Sequence, residues 1–312
     1  MRRLSCPVCS QRVFFNDQTC LNCGGELSYN VAVDAMTPAI QPCSNRADLL
    51  CNWVVGADAE QCASCALDDE RSGPTAQLTT FESAKRRVLR QLALVDLDPG
   101  TADPPLRFAL HHGTDDDPVT IGHADGLVTL DTSEADPSQR ERVRTRLGEP
   151  YRTPLGHVRH EVGHWHWQAH VAPDALRLEQ FRELFGDERA DYSAALAAHY
   201  QGNDSGAWRT THLSHYATAH PWEDYAESFA HLLHMMDMVE TAVAEGFING
   251  GFTGVSDLFA RWAPLTVSLN EMAHSMGTPE PYPFAPPPLA LRKMVFVYDV
   301  INGSRHARDL SE

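Results

Sequence analysis

The 312-residue sequence has few basic residues, no long apolar run and no cysteine beyond position 65. Lys and Arg number 25 against 42 Asp and Glu, a formal net charge of −17 at pH 7. Binding to nucleic-acid phosphates needs clustered Lys and Arg, so this balance argues against a nucleic-acid partner. The absence of any stretch of 18 or more apolar residues argues against a membrane-spanning helix.

The start of the chain also lacks the apolar segment of a secretory signal. Met1-Arg2-Arg3 is basic, but a cysteine pair beginning at Cys6 follows almost at once. We therefore expect a cytoplasmic protein with no membrane partner. No internal repeat and no glycine-rich phosphate loop is present. With 43% hydrophobic and 21% charged residues, the chain has the composition of a globular protein, and its length suits one large domain or roughly two.

Four cysteines near the start form two CxxC pairs, Cys6 with Cys9 and Cys20 with Cys23. Each CxxC turn directs two thiolates to one point, and Gly24 permits a tight backbone turn after the second pair. Four thiolates complete a tetrahedral zinc ion and leave no open position for chemistry. The spacing predicts a structural Zn²⁺ in a zinc ribbon. A rubredoxin-like iron site and redox-active pairs are the alternatives.

The other four cysteines, Cys43, Cys51, Cys62 and Cys65, are predicted to form a second structural zinc site. Only the last two make a CxxC pair. Cys43 and Cys51 could instead be small buried hydrophobic residues, because free cysteine is often buried. One or two structural zinc ions are therefore expected.

Residues 1–74 are predicted to be this zinc-ribbon module, and residues 75–312 a second domain. The polar stretch Asp68–Thr75 has the composition of a linker. The first 70 residues carry few basic side chains, which favours a protein partner or a stabilising role for the ribbon over DNA binding.

Hydrophobic periodicity and turn residues predict an α+β protein whose second domain is mainly α-helical with a minor sheet. The predicted helices cover residues 81–94, 138–146, 155–171, 181–200 with a break at 186–187, 221–243, 257–276 and 289–301, and a short strand covers 126–131. The basic face of the first of these helices is expected to lie in solvent.

The predicted helix 155–171 contains the sequence His160-Glu161-Val162-Gly163-His164, an HExxH pattern. On a helical wheel His164 lies about 40° from His160, whereas the apolar residues of this helix cluster roughly 140–220° away. The two imidazoles therefore project away from the buried face. HExxH on a helix is typical of zinc sites in which the glutamate is a general base.

Catalytic zinc sites usually have three protein ligands, so one more is needed. Glu223 and Glu227 are four residues apart and share a helical face. One could bind zinc while the other accepts a hydrogen bond from a ligand imidazole. Glu223 is the favoured ligand, but Glu183 with Asp187, and Asp187 with Asp191, have the same spacing and remain open.

The segment Tyr216-Ala217, followed by Glu223-x-Tyr-Ala-Glu227-x-Phe, is similar to the core of the gluzincin metallopeptidases, in particular the anthrax lethal factor protease domain. In that core a tyrosine seven residues before the glutamate ligand lies next to the zinc and supports the oxyanion. The resemblance implies these roles for Tyr216 and Glu223.

Nearly the whole chain resembles a bacterial family described as "putative zinc-binding metallopeptidase", which has an N-terminal zinc ribbon. The resemblance rests on the cysteine pairs and on the stretches 134–136, 149–152, 159–164, 185–192 and 220–224. It implies a zincin-like fold and a zinc site more firmly than a substrate. One residue departs from the expected run of aromatics, because His166 separates Trp165 from Trp167.

The predicted function is zinc-dependent hydrolysis of peptide bonds in a peptide or protein substrate. His160, His164 and Glu223 would hold the catalytic Zn²⁺, which lowers the pKa of bound water to about 7. Glu161 would be the general base, and the Tyr216 hydroxyl would stabilise the oxyanion.

Three other residues near these positions have supporting or surface roles in this interpretation. Glu227 would orient a ligand histidine, whereas Arg159 and Asp224 are expected to form surface salt bridges. The alternative function is that of a non-catalytic zinc-binding protein that uses its ribbon for protein–protein interaction.

Overall fold

A computed structural model describes residues 1–114, 116–202 and 204–309, with the side chains of residues 304–309 left undescribed. Within these residues, eight α-helices accompany eight short strands. The helices follow a cysteine-rich segment and form most of the later part of the chain. The predicted α+β class is therefore confirmed.

The strands and helices are named in chain order. The strands are β1 (Leu4–Ser5), β2 (Arg12–Val13), β3 (Leu27–Asn30), β4 (Ala35–Pro38), β5 (Asp68–Arg71), β6 (Arg107–His111), β7 (Gly122–Ala124) and β8 (Leu127–Asp131). The helices are α1 (Thr75–Leu94), α2 (Pro137–Leu147), α3 (Pro154–His170), α4 (Ala175–Phe185), α5 (Tyr192–Gln201), α6 (Pro221–Glu245), α7 (Val255–Ser275) and α8 (Pro288–Asp309).

The chain forms two compact units. The first comprises residues 1–158 with 244–248, and the second comprises residues 159–243 with 249–312. The boundary that the sequence predicts after residue 74 separates the cysteine-rich module from the rest of the chain, and it stays a prediction.

In the first unit, two small hairpins belong to the cysteine-rich segment. Strand β1 pairs antiparallel with β2, and β3 pairs antiparallel with β4. The turn after each CxxC pair is tight: the backbone N–H of Ser10 donates to Cys6 O, and that of Gly24 to Cys20 O, both at 2.9 Å. Gly24 has φ +72°, a left-handed conformation, which agrees with the tight turn predicted at this glycine.

The first unit also contains a four-stranded sheet in the order β5-β6-β8-β7. Strand β5 runs parallel to β6, β6 runs parallel to β8, and β7 is antiparallel to β8. The expected linker Asp68–Thr75 is therefore wrong over its first half. The stretch Asp68–Arg71 is a strand that pairs with β6, and the Asp68 side chain is buried in an ion pair with Lys85.

Helix α1 has a basic face that is buried, which corrects the expectation of a solvated face. The relative exposure of Lys85, Arg86 and Arg90 is 1% or less. Lys85 pairs with Asp68 and with Glu82, the latter at 2.9 Å. Buried acidic partners therefore compensate charges that would otherwise be costly to remove from water.

In the second unit, the observed helices follow the predicted ones with shifted ends. Helix α4 begins at Ala175, before the predicted residue 181, because the Asp174 carboxylate accepts hydrogen bonds from the N–H groups of Leu176 and Arg177. It ends at Gly186, which has φ +107°. The predicted break at 186–187 is therefore confirmed, and α5 restarts only at Tyr192.

None of the helices in the described part of the chain combines the length and the apolar content that crossing a membrane requires.

Candidate metal centre

Helices α3 and α6 approach each other closely beside the HExxH residues, and Gly163 makes this approach possible. A Cβ atom at Gly163 would lie 2.9 Å from Ala226 Cα and 3.3 Å from Phe229 Cβ. Any larger residue would push the two backbones apart. The glycine inside HExxH therefore brings the histidines of α3 next to the acidic residues of α6.

His160, His164 and Glu223 converge at this crossing. His160 Nε2 lies 2.9 Å from Glu223 Oε2 and 3.2 Å from His164 Nε2. His164 Nε2 lies 3.4 Å from the same Glu223 oxygen. Glu223 and His160 are buried, and His164 is partly exposed. The structure thus brings together the three residues that the sequence singled out as zinc ligands.

The spacing of these three atoms fits a divalent metal ion. Ligand atoms about 2.0–2.2 Å from a tetrahedral zinc are separated from each other by about 3.3–3.5 Å. The observed separations of 2.9, 3.2 and 3.4 Å approach that range. Two imidazole nitrogens and one carboxylate oxygen are also the donor set of many catalytic zinc sites.

The acidic residue one turn later on α6 contacts the other ring nitrogen of His160. Glu227 Oε1 accepts a hydrogen bond from His160 Nδ1 at 3.0 Å. The Ser214 hydroxyl donates to Glu227 Oε2 at 2.6 Å and fixes that carboxylate. With its proton on Nδ1, the His160 ring presents Nε2 to Glu223 and His164, as a metal ligand must.

Tyr216 and Glu161 lie close to this cluster. The ring centroid of Tyr216 is 5.8 Å from that of His160. Glu161 is buried and occupies the helix position next to His160. Both residues therefore lie near the three candidate ligands.

Contacts between opposite charges shift the pKa values in the cluster. Burial alone would raise the pKa of Glu223, but the charge of His164 and the hydrogen bond with His160 hold it well below its usual value. Burial also opposes the charged form of His160, yet Glu223 and Glu227 raise the pKa of His160 well above normal. Burial, followed by the Glu223 charge, raises the pKa of Tyr216, so its hydroxyl stays protonated.

The other acidic residues that the sequence left open lie elsewhere. Glu183 and Asp187 are exposed, and Asp187 pairs with Arg189 at 2.8 Å. Asp191 is exposed as well and caps helix α5 by accepting a hydrogen bond from Ala194 N. Among the candidates, Glu223 is therefore the carboxylate that the structure places next to the two histidines.

Arg159 and Asp224 are buried, so the expectation of surface salt bridges is wrong for both. Arg159 donates to Asp237 at 2.8 Å and also contacts His234. Asp224 pairs with Lys293. Burial raises the pKa of Asp224 to about 7 against the opposing charge of Lys293. Arg159 on α3 and Asp224 on α6, which are next to candidate ligands in the chain, are thus held by internal ion pairs.

His166 is part of the core and does not face the cluster. It is fully buried, its Nδ1 lies 2.9 Å from the Tyr225 hydroxyl, and its ring packs against Phe229. The polar residue among the aromatics is therefore accommodated by a hydrogen bond inside the second unit.

Sequence reasoning missed two residues, Ser214 and Tyr192. The Tyr192 hydroxyl donates to Glu223 Oε1 at 2.7 Å. Ser214 has no signal in the sequence, because it reaches Glu227 only through the fold. For Tyr192 the one signal was its position at the end of the stretch 185–192, on which the family resemblance rests.

The first four cysteines form a compact cluster in the first unit. Cys6 Sγ lies 3.7 Å from Cys23 Sγ, and Cys9 Sγ lies 3.6 Å from Cys20 Sγ. Sulfurs about 2.3 Å from a tetrahedral zinc are separated by about 3.8 Å, so this spacing fits the ion. The N–H of Val8 points at Cys6 Sγ at 3.5 Å.

The other four cysteines also cluster, and all of them are buried. Cys51 Sγ lies 3.5 Å from Cys62 Sγ. The N–H of Cys62 lies 3.4 Å from Cys43 Sγ, and the N–H of Cys65 lies 3.5 Å from Cys62 Sγ. None of the eight cysteines forms a disulfide bond. The four sulfurs lie close together, so Cys43 and Cys51 belong to this cluster and are not isolated buried residues.

Fold and site together define an α+β protein with a His–His–Glu cluster and two four-cysteine clusters, which is the donor chemistry of a zinc protein. The family model described as "Putative zinc-binding metallo-peptidase" matches residues 75–300, and a zinc-ribbon domain model matches residues 3–42. The chain belongs to this metallopeptidase family, and its resemblance to the family with an N-terminal zinc ribbon is confirmed.

The chain is also similar to uncharacterised mycobacterial proteins. One is from Mycobacterium bovis and two are from strains of Mycobacterium tuberculosis. Each is 38% identical over 330 aligned positions that cover 97% of this chain and 96% of the relative. No solved structure matches the chain significantly.

Proposed function

We propose that this protein is a zinc-dependent metallopeptidase that hydrolyses peptide bonds with Glu161 as the general base. The observation that carries the proposal is the convergence of His160 Nε2, His164 Nε2 and Glu223 Oε2, all within 4.8 Å of one another, beside Glu161 and Tyr216. Family membership supports the zinc, and the position of Glu161 supports the hydrolysis.

His160, His164 and Glu223 would hold the catalytic zinc. In such sites the ion supplies Lewis acidity, which lowers the pKa of water to about 7 and polarises a carbonyl group. Three protein ligands leave a fourth position open to solvent or substrate. Glu227, held by Ser214, orients His160 through its Nδ1 proton and keeps the ring in the ligating orientation.

Glu161 moves the protons in the proposed reaction. Its carboxylate takes a proton from the water that attacks the scissile carbonyl carbon, and a tetrahedral adduct forms. The same carboxyl group then donates that proton to the amide nitrogen as the C–N bond breaks. The second proton of the water stays on the new carboxyl group, so the products are a carboxylic acid, which then loses its proton to solvent, and an amine, and Glu161 is again a carboxylate.

Tyr216 stabilises the negative charge that develops on the carbonyl oxygen. Its hydroxyl keeps its proton because burial and the nearby Glu223 charge raise the tyrosine pKa. A protonated hydroxyl can donate a hydrogen bond to an oxyanion, and one such donor contributes about 3 kcal/mol to transition-state stabilisation.

The two four-cysteine clusters are proposed to hold structural zinc ions. Four thiolates leave no position for substrate, so these ions would stabilise the first unit and take no part in the reaction. The ribbon is proposed as a contact surface for a protein partner, because its first 70 residues are poor in basic side chains.

A peptide library analysed by mass spectrometry tests the proposal. The full chain should generate new peptide termini, and the chelator 1,10-phenanthroline should abolish the cleavage. Glu161→Gln should keep its zinc content while hydrolysis falls by about 10²–10⁴-fold. Tyr216→Phe should lower kcat by about 10²–10³-fold.

Glu183→Gln is the matched control, because Glu183 is an exposed glutamate of the same unit. It should keep full zinc content and activity. Loss of zinc from Glu161→Gln would refute the role given to Glu161. Full zinc content without cleavage of any library peptide would instead support the alternative function, a non-catalytic zinc-binding protein.

A further inference from the structure

The Tyr192 hydroxyl holds the one oxygen of Glu223 that does not face the histidines. It donates to Glu223 Oε1 at 2.7 Å. The other oxygen, Oε2, lies 2.9 Å from His160 Nε2 and 3.4 Å from His164 Nε2. The two carboxylate oxygens therefore have different partners, and only Oε2 faces the other two candidate ligands.

The loop before Tyr192 is fixed by polar contacts. Glu188 is buried and accepts a hydrogen bond from Arg182 Nε at 2.9 Å. The Nε2–H of His220 donates to Ala190 O at 3.2 Å, and its Nδ1 accepts from Trp222 N at 3.2 Å. The turn that ends just before Tyr192 is thus attached to the start of α6, the helix that carries Glu223.

Packing fixes the ring of Tyr192 as well. Its centroid lies 5.2 Å from the His220 ring at an interplanar angle of 78°, and 5.9 Å from the Trp222 ring. Trp222 in turn packs against Trp167 with centroids 5.5 Å apart. A ring held on these sides has little rotational freedom, so its hydroxyl stays directed at Glu223.

We propose that Tyr192 is a positioning residue that keeps Glu223 a one-oxygen ligand of the catalytic metal. This inference rests on the proposed function of the site. A carboxylate can bind a metal through one oxygen or two, and the second oxygen would fill the position that water or substrate needs. The Tyr192 hydrogen bond would keep Glu223 Oε1 from becoming a metal ligand. The fourth ligand position would then stay open to water or substrate.

The same side chain lies beside Tyr216, the proposed oxyanion donor. Tyr192 therefore lies next to both the carboxylate ligand and the residue that would contact the reacting carbonyl oxygen. In this proposal its hydroxyl acts through Glu223.

Cobalt(II) provides a test that does not depend on hydrolysis. A mild chelator removes the metal from the His–His–Glu site of the full chain while the cysteine sites keep their zinc, and cobalt(II) is then added back. Four-coordinate cobalt absorbs visible light more strongly than five-coordinate cobalt. Tyr192→Phe preserves the ring but lacks the hydroxyl, so its cobalt absorption should weaken as Oε1 joins the donor set.

Metal affinity provides a second readout. Loss of a hydrogen bond to a ligand typically changes metal affinity by about 10–100-fold, and Tyr192→Phe should show a change of this size in a chelator competition. Tyr298→Phe is the control, since Tyr298 is a partly buried tyrosine on α8 of the same unit. It should match the unaltered chain, and circular dichroism should show that both variants are folded.

An unchanged cobalt spectrum with unchanged affinity in a folded Tyr192→Phe variant would overturn the inference and leave the proposed function standing. If the unaltered chain takes up no metal at the His–His–Glu site, the proposed function fails, and the inference fails with it. A weakened spectrum in Tyr298→Phe as well would also overturn the role of Tyr192, because the effect would not be specific to the residue that contacts Glu223.

Discussion

Individual charged residues in this protein are buried with partners of opposite charge. The sequence contains two lysines, Lys85 and Lys293, and both are buried in ion pairs with aspartates, Asp68 and Asp224. Arg90 is buried and donates to Asp34 at 2.8 Å and 2.9 Å. A buried charge that keeps its partner is tolerated, whereas removal of the partner is strongly destabilising.

His231 is a buried residue whose charge state differs between the folded and unfolded chain. It packs between Tyr282 and Phe284, faces Glu227 at 4.0 Å, and has the His234 ring 5.6 Å away. Burial lowers the pKa of His231 to about 4, despite the opposing effect of the Glu227 charge. The imidazole is therefore neutral in the fold at pH 5, whereas in the unfolded chain it is protonated.

This difference predicts a pH dependence of stability. Because the folded pKa is depressed, the contribution of His231 is fully present above about pH 6.5 and is lost as the pH falls toward 4. Between pH 7.5 and pH 5 the loss should be about 2 kcal/mol. Urea unfolding at both pH values checks this, and His231→Gln should show a correspondingly smaller drop. Equal drops in the two proteins would contradict the prediction.

At the scale of elements, the crossing of α3 and α6 determines the metal cluster. The HExxH histidines lie on α3, and Glu223 and Glu227 lie on α6. The two backbones lie close together at Gly163, since a Cβ there would lie only 2.9 Å from Ala226 Cα. The distances between the candidate ligands therefore depend on a position that has no side chain.

Gly163→Ala is predicted to weaken the site and the fold together. Alanine favours an isolated helix by about 1 kcal/mol over glycine, but the clash with the α6 backbone should outweigh this and destabilise the protein by about 1–3 kcal/mol. Zinc content and thermal unfolding are the measurements. Gly251→Ala is the control, because a Cβ at Gly251 meets no atom within 4 Å. A Gly163→Ala variant as stable as the control would contradict the prediction, because it would show that α3 and α6 can move apart without loss of stability.

Helix α1 contributes a buried ionic cluster to the first unit. Lys85 lies between Asp68 of β5 and Glu82 of its own helix, and all three side chains have a relative exposure of 1% or less. Arg71 also donates to Asp68 and Glu82, at 2.6 Å and 3.2 Å. This cluster connects β5 to helix α1.

Lys85→Met is predicted to destabilise the protein by about 3–5 kcal/mol, because two buried carboxylates would lose their main counter-charge. Arg107→Ala removes the exposed pair with Asp69 and serves as the control, with an expected effect of about 1 kcal/mol or less. Chemical denaturation of both variants measures the two changes in the free energy of unfolding. If the two changes had similar effects, the buried cluster would not be a major source of stability.

At the scale of the whole molecule, the described residues contain three clusters that could hold metal ions. Two consist of cysteines, and the third is the His–His–Glu site. The complete cysteine sets are expected to bind zinc more tightly than the open site, because they supply four protein ligands instead of three.

The full chain is therefore predicted to contain about three zinc ions. Elemental analysis against protein concentration measures this number. Cys62→Ser should lower it to about two and reduce the thermal stability, because a structural zinc contributes directly to folding. His164→Ala should also lower the count to about two but cost much less stability. A count of two in the unaltered chain, unchanged by Cys62→Ser, would show that the second cysteine cluster binds no zinc.

Much of the fold and of the candidate site could be predicted from local sequence patterns. The CxxC spacing, the HExxH motif and helical periodicity act over a few residues, and the structure has helices at each predicted position. Three expectations failed for a common reason. Asp68, Arg159 and Asp224, together with the basic face of α1, have surface-like sequence patterns, but their side chains are buried against partners on other elements.

The sequence by itself determined which donor atoms are available and which of them share a helical face. Only the tertiary structure decided between Glu223 and the equally spaced acids Glu183, Asp187 and Asp191. It also brought Tyr192 to Glu223 and Ser214 to Glu227. The physical reason is that periodicity fixes directions around one helix axis, whereas distances between two helices depend on how closely their backbones pack, and here Gly163 sets that limit.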